Sequence, residues 1–130
     1  MMGQSDQDVF KLSGVEIARL IKGREVSAVE VLEATFSRID AVDKQCNAFV
    51  NLDMSAARAQ ANQADQMVAD KAVDTLPELH GVPFTVKDLV NTAGVRSTYG
   101  CRAFEDYIPD TDAVGVARMR QAGACPPALE

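Results

Sequence analysis

The chain has 130 residues, 13 Lys+Arg against 19 Asp+Glu, one His and three Cys. That length is one ordinary domain with room for a real core. The formal net charge of -6, with acids in excess in both halves, argues against nucleic acid or an anionic membrane as a partner held by bulk charge.

The start, Met1-Met2-Gly3-Gln4-Ser5-Asp6, has neither the basic nor the apolar region of a signal peptide. Two helix starts are then written alike. Ser13-Gly14-Val15-Glu16 and Ser27-Ala28-Val29-Glu30 both read S-x-x-E, in which serine and glutamate satisfy each other's orphan amides. The first opens a short helix carrying Ile17, Leu20 and Ile21, with Gly23 at its C-terminal cap. The second opens a longer helix whose Val29, Leu32, Phe36 and Ile39 share a face, leaving Glu25, Glu33, Arg38 and Asp40 on a solvated side.

Asn47-Ala48-Phe49-Val50-Asn51-Leu52 is short and apolar enough for a strand. Residues 53–69 follow as an Ala-rich helix with Ala57, Ala61, Ala64 and Met67/Val68 on one side. After a loop, residues 79–86 read as a turn entering a strand, with Pro83 suited to its first position and Lys87-Asp88 at its C-terminal end. Ser97-Thr98-Tyr99-Gly100 is a polar loop. Pro109-Asp110-Thr111-Asp112 is expected to cap a last helix bearing Val114, Ala117 and Gln121 on one face and ending at Gly123. Helices interleaved with short strands make the class α/β.

The chemistry is sparse. A lone imidazole excludes any site needing two, and there is no phosphate-binding glycine loop or G-x-S-x-G elbow, so no metal or cofactor is expected. Cys46, Cys101 and Cys125 are odd in number, widely spaced and without C-x-x-C, as in the reduced thiols of an intracellular protein. With no run long enough to span a membrane, a cytoplasmic location is expected. His80 reads as a surface or hydrogen-bonding loop residue, and Asp88 as a capping or structural one.

One segment goes further. Leu79-His80-Gly81-Val82-Pro83-Phe84-Thr85-Val86-Lys87-Asp88 resembles the lysine motif of the amidase signature family, serine hydrolases of amide bonds. The likeness continues through Thr92-Ala93-Gly94-Val95-Arg96-Ser97-Thr98-Tyr99-Gly100, Pro109, Asp112-Ala113 and Ala122-Gly123-Ala124, and covers roughly residues 12 to 124. The resemblance implies a mixed sheet flanked by helices. It also implies a triad in which a lysine acts as base on a serine held by a cis peptide bond, which deprotonates a second serine that attacks the amide carbonyl. Lys87 stands at the position of that lysine. On spacing alone it would read as a solvent-facing residue at a strand end; the motif around it reverses that reading. A lysine base needs burial, since lowering a free lysine from a pKa of about 10.4 to about 7 takes roughly 4.6 kcal/mol of differential interaction.

The two serines of that triad lie downstream of the lysine strand in the family, and neither has a counterpart here. Cys125-Pro126-Pro127-Ala128-Leu129-Glu130 stands where the family has a hydrophobic strand, and two consecutive prolines are not expected within a central strand. Residues 1–130 are therefore read as the N-terminal portion of a single amidase-type domain, truncated after about residue 124. The expected function is amide C–N hydrolysis of which this chain holds only the lysine, leaving it inactive alone. Alternatives are the glutamine-hydrolysing A subunit of a tRNA-dependent amidotransferase and a non-catalytic remnant or interaction module. Leu89-Val90-Asn91 resembles the stand-alone amidases more. The expected partners are a small amide substrate if the domain is complete and, through apolar surface left uncovered, further copies of the chain.

Overall fold

The computed structural model describes residues 9–129, so the reading of Met1–Asp6 lies outside the described residues. A helical pair leads into helices interspersed with strands: α1 (Gly14–Lys22), α2 (Ala28–Cys46), β1 (Asn51–Leu52), α3 (Met54–Asp70), β2 (Pro83–Val86), α4 (Val114–Gln121) and β3 (Cys125–Leu129). Short 3₁₀ turns occupy Val9–Lys11, Val73–Thr75 and Arg102–Phe104. None of the described helices is long and apolar enough to cross a membrane.

Both S-x-x-E boxes form, on α1 and α2. The start of α2 gains more: the Ala28 and Val29 amides donate to the carboxylate of Asp65 on α3, at 2.7 and 3.2 Å. Three consecutive orphan amides at that terminus are thus satisfied, two by Asp65 and one by Ser27. Arg24, in a left-handed turn at φ 59°, closes the α1–α2 corner by donating to the Val68 carbonyl at 2.8 Å.

The main core lies among α1, α2 and α3, where Ile21, Val31, Leu32 and Phe36 meet Ala57, Ala61, Ala64 and Val68. The alanine stripe on α3 is what allows close approach, and Ile17, Val29 and Ile39 pack at its margin as expected. On the solvated side Glu33 pairs with Arg58 of α3, whose guanidinium lies 5.5 Å from the Phe36 ring centroid.

The expected strand from Asn47 shrinks to Asn51–Leu52. Asn47 takes up a left-handed conformation at φ 51° to close α2, and the Ala48 and Phe49 amides are drawn to the Asp43 carboxylate. Those residues serve the helix end and leave no ladder to build.

The sheet order is β1-β3-β2, antiparallel between β1 and β3 and parallel between β3 and β2. The expectation that Pro126-Pro127 breaks the strand is corrected: β3 is central and paired on both sides. Its register explains this, since Pro83 faces Cys125 while Thr85 faces Ala128. Two steps along β2 match three along β3, so the chain slips by one residue where its prolines have no N–H to give.

The start of α4 differs too. Its N-cap is Ala113, without a side-chain acceptor; Asp112 instead accepts from the Ala93 amide at 2.7 Å and sits 3.1 Å from Arg120 Nε. The buried residue of α4 is Val116, which meets Val86 in a second small core, while Val114 is 70% exposed.

Candidate active site

The turn into β2 depends on Gly81. At φ +76° it holds a conformation that costs an L side chain, and an added Cβ would stand 3.0 Å from the Ala28 Cβ. The segment is tied to the α4–β3 corner by three backbone bonds, Leu79 to Ala122, Gly81 to Gly123 and Cys125 to Val82. His80 is 2% exposed, and its Nε2–H donates to the Ala64 carbonyl at 2.9 Å, so its part is to anchor this turn on α3.

Pro83 begins β2 as its fixed φ favours, and Lys87 follows the last strand residue, with an exposed side chain. The Lys87 carbonyl accepts the Val90 amide at 2.8 Å, closing a tight turn. The next residue, Asp88, is 7% exposed. Its carboxylate accepts from the Thr98 amide at 2.7 Å, the Thr98 hydroxyl, and the Gly100 amide at 3.3 Å. Burial pushes the Asp88 carboxyl up, but these donors outweigh it and hold it below the usual aspartate range.

Farther along the same stretch, Tyr99 donates its hydroxyl to Asn91 Oδ1. The Tyr99 ring lies against Phe104 and Tyr107, at centroid separations of 5.3 and 5.9 Å. Ser97 and Thr98 are engaged inside the loop. Ser97 is wholly buried, its hydroxyl given to the Val95 carbonyl and its amide to the Tyr107 carbonyl, and the Thr98 hydroxyl is taken by Asp88.

On the helical side, an open cleft of about 450 Å³ is lined by residues including Gln60, Met67, His80, Arg120 and Cys125. Lys87 is not among its walls. Burial, with Asp65 nearby, pushes the Cys125 thiol up, away from a nucleophilic thiolate. Cys46, Cys101 and Cys125 are all free thiols. Among the described residues no cluster of His, Cys, Asp or Glu could hold a metal ion.

Sequence reading placed Lys87 and Asp88 correctly at the strand end but missed Asn91 and Tyr99. Tyr99 is signalled only by the S-T-Y-G string, whose glycine marks a left-handed turn without naming the acceptor.

Three comparisons bear on this arrangement. A family model described as Amidase matches residues 30–128. Over 117 residues the chain is 40% identical to the A subunit of the glutamyl-tRNA(Gln) amidotransferase of Carboxydothermus hydrogenoformans, covering 90% of this chain and 24% of that protein. Among solved structures, a bacterial aryl acylamidase belonging to the amidase signature enzymes superposes with a TM-score of 0.82 at 26% identity, over 91% of this chain and 24% of that one. A chain from a vestigial protein complex, described as revealing the origins of an s-triazine catabolic enzyme, gives a TM-score of 0.81 at 33% identity, over 89% and 25%. The chain spans about a quarter of the length of the curated relatives it matches.

Proposed function

Because the chain belongs to the amidase family, we propose that it carries the base of an amide C–N hydrolase of the amidase signature type, with Lys87 in that role. The observation that supports the reading is the place of Lys87. It stands directly after β2, within the matched residues, on a strand tied to its surroundings by Gly81 and the α4–β3 corner. A base at a strand end is aimed by the sheet, which proton transfer requires.

The remaining steps need groups these 130 residues do not supply. Lys87 would take a proton from a serine held by a cis peptide bond, and that serine from the serine that attacks the carbonyl. The attacking oxygen forms the acyl-enzyme, and the departing amine receives the proton. Residues 88–130 offer no counterpart to either serine, and Lys87 is exposed rather than desolvated. These residues by themselves, as a portion of a single amidase-type domain, therefore hydrolyse no amide. The test is amide hydrolysis by the purified chain: turnover that Lys87→Ala abolishes in these 130 residues alone would overturn this part of the reading.

A second reading, the glutamine-hydrolysing A subunit of a tRNA-dependent amidotransferase, draws its support from the 40% identity to the Carboxydothermus protein. It differs in substrate and in needing partner subunits. In a preparation with both serines present, turnover of glutamine but not of a simple aryl amide would favour it. A non-catalytic interaction module, in a cytoplasmic setting, is the reading left if Lys87 is inert in such a preparation.

A further inference from the structure

We propose that Asp88 is a positioning residue for Lys87: with Asn91 it locks the 98–100 loop onto the turn after β2 and so fixes the strand end that carries the lysine. This rests on the reading of Lys87 as the base.

The turn is closed by the Val90 amide on the Lys87 carbonyl, so whatever holds the turn holds the lysine's own backbone. It is held at two points. Asp88, one residue after Lys87, accepts from Thr98 twice and from Gly100 once. Asn91, four residues after Lys87, accepts the Tyr99 hydroxyl. The loop pays for this in backbone conformation: Tyr99 and Gly100 are both left-handed, at φ 53° and 66°, and for a tyrosine that is a strained state. Such strain persists where surrounding contacts over-determine it, and it gathers at functional sites. Here the contacts are the two acceptors on one side and the Phe104 and Tyr107 rings on the other.

A buried carboxylate is costly unless bonded, and one whose three bonds all go to a single neighbouring loop acts as a clamp. Arg96, just before that loop, is the charged group that bears on Asp88, and it favours the ionised form. A long, flexible lysine can serve as a base only if the point from which it springs is held within about half an ångström. The clamp supplies that fixity.

The test reads Lys87 directly and needs no turnover. The lysines of the intact chain are reductively ¹³C-methylated, the Lys87 signal is assigned through Lys87→Arg, and its shift is followed as pH falls. Asp88 is held below the usual aspartate value of about 3.9, so the Lys87 signal should inflect below that pH as the clamp opens, while those of Lys22 and Lys71 do not. Asp88→Asn should abolish the inflection. Thr98→Ala removes one donor and should move it to higher pH, which decides the matter if Asp88→Asn does not fold. No inflection at Lys87 in the wild-type chain, the same inflection in Asp88→Asn, or an unmoved one in Thr98→Ala would overturn the proposal. A negative hydrolysis result for Lys87 would count against its role as base and leave this titration readable.

Discussion

Thr92 is 1% exposed, and its hydroxyl is buried without a hydrogen-bond partner. A buried hydroxyl in that state forfeits its bonds to water and gains none in return. Thr92→Val keeps the shape and removes the orphan, so it should stabilise the chain by about 1 kcal/mol, read as a higher urea midpoint at unchanged m. A lower midpoint would mean that the hydroxyl has a partner. At this scale the sequence told unequal amounts. The strand-end position of Lys87 was legible because a whole string of residues surrounds it. The partners of Asp88 were not, because its donors lie ten and twelve positions away and only the folded loop brings them back. Asp112 misled for a related reason: a carboxylate just before a helix reads as a cap, yet a long-range amide and Arg120 took it instead.

Helix α2 shows the same division at the scale of elements. Its S-x-x-E box is local and was readable, because serine and glutamate three positions apart meet on any helix start. The second half of the cap comes from Asp65, 37 residues from Ala28. Asp65→Ala should cost about 1–2 kcal/mol by leaving the Ala28 and Val29 amides unpaired where α3 crosses them, and Ser27→Ala about 1 kcal/mol. Denaturant unfolding checks both; an Asp65→Ala chain as stable as the wild type would show that water replaces the carboxylate. The strand β3 was misread for a physical reason of its own. A proline pair forbids regular pairing, but a one-residue slip in register lets the strand pass the two positions lacking an N–H. Slips of that kind depend on the partner strand and leave no mark in the prolines themselves.

For the molecule as a whole, the α/β class, the order of helices and the strand β2 were legible, whereas the strand order of the sheet and β3 were not, since the strands are only two, four and five residues long. Among the described residues one side of β2 pairs with β3 and its other side with no strand. Leu89, Ile108 and Val114 are all more than half exposed in the stretch between β2 and the start of α4. An open strand edge beside exposed apolar side chains favours self-association, so the unfolding midpoint and sedimentation of the purified chain should depend on its concentration. A monomer with a sharp, concentration-independent transition would contradict this.

The most direct measurement is amide hydrolysis by the chain mixed with a serine-bearing remainder from an amidase signature relative, with Lys87 intact and as Lys87→Ala. Neither component alone should turn over amide; the mixture should, and Lys87→Ala should lower that turnover by at least about a hundredfold, the scale of a general base. Equal turnover with and without the lysine would show that Lys87 is not the base.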